Sequence, residues 1–417
     1  MTSPRPPFFQ PLLARDRDED HRAATPLELF FDLVVVIAIA AAAHGLAHEI
    51  ATGRLGFGLI HFLMAFFAVW WPWNMFTWFA SSFDNDDASY RLNVMVMMIA
   101  LMAIAASIPS IFAGASPVFG FVGYVILRLA SAVLWLRVGG GNPHLKQTAK
   151  RYGWGQIAMQ GIWAVGIFGV NPSGIVFPIY FALAALLELL IPWYAERASK
   201  TPWHREHIVE RFGLLNIIVL GEVLVGATHA LEVAVTDHFS WALVGVGVCG
   251  MVMAFTMWWL YFSISEHLED IEIKRTFVWG YGHFVVFAAG SAVGAGLLLL
   301  VDVIAAAGHG AVELSQLAAS QVSSIEVAAG EAGHGATAVG LETAGFAIAI
   351  PLAFYVFGLW FVRDRYQLKS SQNVVMLFFA VLIALSGFLP YPPVPALVFL
   401  LICLGVRLAQ QSVSMKA

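Results

Sequence analysis

Apolar and polar positions alternate in long blocks along this chain rather than within single turns. Nearly uncharged stretches run at about 27–50, 55–80, 91–113, 117–137, 152–170 and 174–195. A second set follows at about 207–231, 239–263, 277–301, 343–362, 371–389 and 393–409. Each is close to the ~20 residues a helix needs to cross a hydrocarbon core. A chain in lipid must satisfy its own backbone groups, which makes these stretches helices. The pattern predicts an all-α polytopic membrane protein with about twelve transmembrane helices. Residues 1–24 are polar and rich in Pro and Arg, the composition of a disordered tail.

Composition sharpens this picture. Of 417 residues, 59% are hydrophobic and only 12% charged, far from the soluble range. The net charge of −5 says little, because the asymmetry lies across the membrane. With the N-terminus inside, Arg54 alone of the 22 basic residues falls outside, and Arg128 falls within a run. That bias predicts two cytoplasmic termini in a bacterial inner membrane. Trp70, Trp71, Trp78, Trp193, Trp203, Trp241, Trp258 and Trp279 lie near run ends, which predicts an interfacial belt. Gly290 and Gly294 form a small-xxx-small pair for close helix packing. Cys249 and Cys403 both sit inside apolar runs, so neither a disulfide framework nor a cysteine metal site is expected. No cleavable leader is expected either.

The two sets of runs read as two parallel six-helix repeats, 25–200 and 201–412. Glu28-x-Phe30 matches Glu210-x-Phe212, Trp70-Trp71 matches Trp258-Trp259, and Arg91 matches Arg275. Leu134-Trp135 then matches Leu359-Trp360, and Pro178 matches Pro395. An even number of helices per copy relates the copies by an axis along the membrane normal, with a shared pathway between them. Segment 302–341 has no counterpart in the first copy and no basic residue, so it is placed outside the membrane with a short helix near 311–328. Its His309 and His334 lie in Gly-His-Gly triplets of a low-complexity loop, and no metal site is expected there.

Ionisable residues inside the runs are the candidate chemistry, because a charge in hydrocarbon is costly. Thr25, Pro26 and Glu28 spell a capping box, whereas Asp32 lies one turn deeper on the same face. Glu210 and Arg211 open the seventh run and Glu222 sits near its middle. Arg128 is the natural partner for Glu222 or Asp32, and Glu188 is a weaker case of the same kind. His44, His48, His61 and His229 would gather near the outer face, and His283 lies deeper. Asp84, Asp86, Asp87 and Arg91 read as a capped cytoplasmic helix start with an Asp87–Arg91 pair. An EF-hand is excluded there, since the loop lacks its central Gly and has Met95 where the bidentate Glu belongs.

The stretches TPLELFFDLVVVIAIA, WPWNMFTWFASSFDNDDASYRL, HIVERFGLLNIIVLGE and WWLYF followed by FVWGYGHF resemble the bacterial low-temperature-requirement protein A family. The resemblance runs from about residue 25 to 300 and continues to the C-terminus. It implies a membrane protein and assigns no chemistry. A fainter similarity is to the six-helix-repeat lysosomal and bacterial potassium channel family, whose first helices line the pore. Here Phe31-Asp32 keeps only the end of that family's R-x-x-x-F-S-D signature, and Glu210-Arg211-Phe212-Gly213 lacks its Asp.

Enzyme signatures such as G-x-S-x-G, a P-loop or H-E-x-x-H do not occur, nor does a basic-aromatic nucleic-acid surface. The leading expectation is a transporter or channel for a small solute or ion, without a cofactor and with room for homo-oligomeric association. The alternatives are a membrane-embedded enzyme acting on a lipid or carrier, and a sensor or assembly factor with no pathway.

Overall fold

A computed structural model describes residues 8–17, 19, 22–171, 174–236, 239–264, 273–320, 339–367, 370–391 and 393–414. They fold into helices α1 (Pro26–Ala51), α2 (Leu55–Phe83), α3 (Ala88–Phe112), α4 (Val118–Gly141), α5 (Lys146–Gly169), α6 (Val176–Glu196) and α7 (Arg205–Thr236). After these come α8 (Trp241–Phe262), α9 (Ile273–Ser320), α10 (Leu341–Leu359), α11 (Ser370–Leu385) and α12 (Val394–Ser414). Among the described residues, nine helices are long and apolar enough to cross a membrane. The runs expected to span at 152–170, 207–231 and 371–389 lie on α5, α7 and α11, which fall outside that group. Polar residues open α5 and α7, and α11 has 16 residues. Helix α9 does not stop at 301 as the sequence suggests but continues to Ser320, and residues 321–338 lie outside the described chain.

Two compact units divide the chain, and the division falls inside α7 rather than at residue 200. The first holds Met1–Gly45 and Ile60–Ile218, the second Leu46–Leu59, Val219–Ser265 and Ile273–Ala417. In the first, the capping box forms as spelled: Thr25 N–H donates to Glu28 Oε2 (2.7 Å) and Glu28 N–H to Thr25 Oγ1 (3.3 Å). Asp87 caps α3 by accepting from Tyr90 N–H at 2.7 Å. Glycine lets α3 and α4 touch, since a Cβ on Gly123 would stand 2.8 Å from the Ala100 carbonyl oxygen. On α5, Gly166 makes room for the Tyr180 ring of α6 in the same way.

The burial pattern is that of a protein in lipid. On α1, Phe31, Val35, Ala38 and Ile39 are fully buried while Phe30, Leu33 and Ile37 face outwards. Leu183, Leu186, Leu187 and Leu190 leave α6 equally apolar on its outer face. A soluble protein rarely exposes patches of this extent. The tryptophans divide between the two environments. Trp193, Trp241 and Trp258 are exposed, but Trp70, Trp71 and Trp279 are core residues and not part of a belt.

In the second unit, Gly294 of α9 lies against the α7 backbone, where a Cβ would come within 2.7 Å of the Glu222 carbonyl. Gly296 meets α10 still more closely, with Ala347 O at 2.3 Å from a Cβ position. After α10 the helix widens into a π-turn, Trp360–Asp364. The short connection between α1 and α2 turns on Gly53, whose φ of 77° a side chain would oppose.

The polar stretch before α1 is held down, where its composition predicts a disordered tail. Gln10 N–H donates to Asp87 Oδ2, Ala14 N–H to Asn142 Oδ1, and Arg15 N–H to the Ser82 carbonyl, each within 3.0 Å. Leu12 is fully buried, and Arg22 donates to the carbonyls of Ala80 and Ser81 at the end of α2. Free carbonyls at helix ends and the Asp87 and Asn142 side chains give the stretch partners that composition alone does not reveal.

Candidate functional site

Two i,i+4 pairs of opposite sign meet in the first unit. Glu28 and Asp32 share a face of α1, and His207 and Arg211 share a face of α7. Arg211 reaches both carboxylates, Nη1 to Glu28 Oε1 at 3.0 Å and Nη2 to Asp32 Oδ1 at 2.6 Å. His207 Nε2 lies 3.2 Å from Glu28 Oε1, and Trp73 of α2 donates its indole N–H to Asp32 Oδ1 at 2.7 Å. Trp73 is fixed in turn by edge-on contact with Phe212. None of the four ionisable side chains is more than 1% exposed. Asp32 Oδ2 has no hydrogen-bond partner among the described residues.

The charges of this group do not cancel. Two carboxylates face one guanidinium, so a neutral site needs a proton on His207 or on a carboxyl, or a bound cation. Arg22 and Asp84 stand beside it at the end of α2. Burial, with the Glu28 charge adding to it, pushes the Asp84 carboxyl up to about 6.

Arg128 is paired differently from the sequence expectation. Its partner is neither Glu222 nor Asp32 but Glu188 of α6, with Nη2 2.8 Å from Oε1. Glu188 Oε2 also accepts from Tyr124 O–H (2.7 Å) and from the Trp163 indole N–H (3.1 Å). One cation thus meets one anion, and two neutral donors bind the carboxylate's other oxygen. The expected Arg128 partners were wrong because spacing along the chain does not give distance between helices.

The other candidates are more dispersed. Glu222 is buried in the second unit, while Asp32 belongs to the first. His283 is a satisfied core histidine, with Nε2 on Tyr261 O–H (3.1 Å) and Nδ1 on the Trp279 carbonyl (2.8 Å). His44 and His48 are exposed on α1, and His229 stands 3.9 Å from Asp302. Among the described residues, no group of three or more potential metal ligands occurs. Glu210 is exposed and accepts from Ala24 N–H, unlike the buried Glu28 with which the repeat register pairs it. The expected Asp87–Arg91 pair is replaced: Arg91 binds Asp86 at 2.5 Å, and Asp87 takes Arg137.

Sequence reasoning missed Trp73 and His207, and it missed a second buried group altogether. In the π-turn, Arg363 donates to the Leu260 and Tyr261 carbonyls that end α8, and Asp364 Oδ1 lies 2.5 Å from Arg407 Nη2. A signal for His207 was present in the sequence. His207/Arg211 repeats the four-residue spacing of Glu28/Asp32 with opposite charge.

Residues 23–409 match the family model of the bacterial low temperature requirement A protein (LtrA). The chain belongs to the LtrA family. An uncharacterised protein of Rhizobium meliloti (strain 1021) is 24% identical over 290 residues, covering 66% of this chain and 68% of that protein. No solved structure matches. The LtrA match takes in both buried ionic groups of the first unit and the Arg363–Asp364–Arg407 group of the second. It leaves out the strap formed by residues 8–17, 19 and 22.

Proposed function

We propose that this LtrA-family membrane protein moves a small solute or ion, as a transporter or channel, with Glu28, Asp32, His207 and Arg211 as its polar core. One observation carries the reading: two carboxylates share one guanidinium in a fully buried site, and Asp32 Oδ2 has no hydrogen-bond partner among the described residues. A site of that kind is completed by a proton or a cation, and taking one up and giving it back is what a pathway requires. Two cytoplasmic termini, an inner-membrane location and a parallel six-plus-six repeat belong to the same proposal, on the strength of the basic-residue bias and the paired motifs.

The experiment is a flux screen of the purified protein in proteoliposomes over pH, comparing wild type with Asp32→Asn. Transport through this core predicts flux that depends on pH in wild type and loses that dependence in Asp32→Asn, with folding intact. Unchanged flux and unchanged pH dependence would overturn it. No flux for any solute, with only thermal stability altered, would make the group an ion lock between α1 and α7.

A further inference from the structure

The first unit also holds a half-open cavity of about 110 Å³, and nothing in the ionic core accounts for it. It is walled by the first turns of α2, α4 and α6 and the last turns of α3 and α5. Helix order therefore places it at the end of the bundle away from Glu28. Phe67, Phe181, Trp163 and Tyr124 form its aromatic floor, with ring centroids 4.9 Å apart for Trp163–Phe181 and 5.9 Å for Phe67–Phe181. His61, half-buried and beside Phe112, stands at its rim.

Three polar side chains around the cavity are committed elsewhere. Tyr124 O–H and Trp163 N–H both donate to Glu188, and Ser107 O–H donates to the Ile104 carbonyl at 2.7 Å. The space is fixed from both sides. Gly120 leaves no room for a Cβ against Ser107, and Gly166 leaves none against Tyr180, so α3–α4 and α5–α6 are already in closest contact. The void is not a looseness that the helices can close. A cavity with apolar walls, whose Tyr124, Trp163 and Ser107 groups are already hydrogen-bonded, suits hydrocarbon. One of similar size, about 150 Å³, binds benzene or xenon.

We propose that this cavity binds a hydrocarbon group, either a free apolar molecule about the size of a benzene ring or the end of a lipid chain. The group would rest on Tyr124 and Trp163, the two side chains that hold Glu188 opposite Arg128. The proposal does not depend on the transport reading.

The test uses the full chain in lipid nanodiscs, iodobenzene as a quencher and Trp163→Phe to isolate the Trp163 emission. Saturable quenching of that component, weakened at least tenfold in Ala68→Phe, is the expected result, because the larger ring fills the space. Quenching that rises linearly and equally in both proteins would mean partition into lipid only and would overturn the proposal. If Ala68→Phe does not yield a monodisperse protein, Ala65→Leu replaces it with the same criterion. Nanodiscs of lipid brominated at the chain ends separate the sources. Trp163 quenching that benzene relieves identifies a chain end, whereas none beyond the protein's other tryptophans identifies a free molecule.

Discussion

Arg128 and Arg211 are both guanidiniums shut away in the first unit, and they are balanced in opposite ways. Arg128 has one carboxylate, whose other oxygen accepts from Tyr124 and Trp163. Arg211 has two, and Glu28 Oε1 and Asp32 Oδ2 have no hydrogen-bond partner among the described residues, Glu28 Oε1 meeting its cations by ion-pair contact alone. A matched pair is what tying three helices together requires. The acid-rich group is more than a tie requires, since replacing one carboxylate by an amide would leave it neutral. The contrast supports a structural role at Glu188 and the proposed exchange of a proton or cation at Asp32.

The largest effect that separates the two should come from Arg128→Met. It strands Glu188 in an apolar interior and should cost about 3–5 kcal/mol, read as a collapse of the thermal melting temperature in detergent. Adding Glu188→Leu should recover much of the loss, and a failure to recover would mean that Arg128 does more than balance a charge. Arg211→Met should cost about 3 kcal/mol by leaving two carboxylates together, and here Asp32→Asn should be the rescuing change. If Asp32→Asn deepens the defect, the group is not acid-rich and the comparison fails.

Asp84 gives a smaller, pH-signed effect beside the same group. Its carboxyl titrates near 6 when folded against 3.8 as a free side chain, so the folded protein holds the extra proton between those values. Stability from this group is therefore fullest below about pH 4 and lost as pH rises through 6. Asp84→Asn should raise stability at pH 8 by about 1–2 kcal/mol and give no gain at pH 4, checked by melting curves at both values. The smallest change should be Asp32→Asn alone, about 1 kcal/mol or less in stability, because it removes the surplus charge and keeps an acceptor for Trp73. A melting temperature that falls as far as in Arg211→Met would make Asp32 a structural residue.

Much of this was legible in the chain, and the limits have physical causes. Apolar blocks locate helices because lipid leaves the backbone no other choice, and Thr25-x-x-Glu28 locates the start of α1 because a cap is local. Arg128 was recognisable as a buried cation, but Glu222 and Asp32 were taken as its partners ahead of Glu188, because helix spacing carries no record of which helices touch. Trp70 and Trp71 were misplaced for a related reason: a ring near the end of a run packs inwards when a neighbouring helix covers it. Glu28/Asp32 and His207/Arg211 could have been joined by their shared offset of 179 residues, had opposite charge been sought instead of likeness.

The strap over the ends of the helices has a consequence for synthesis. Ala14 needs the Asn142 side chain, which leaves the ribosome 128 residues later. At ordinary elongation rates that is a wait on the order of ten seconds. The stretch around Ala14 is thus among the last of its unit to settle. Its docking registers that α4 has been inserted to its full length, and a bulky fusion placed just ahead of Phe8 would sit at the seam that closes last.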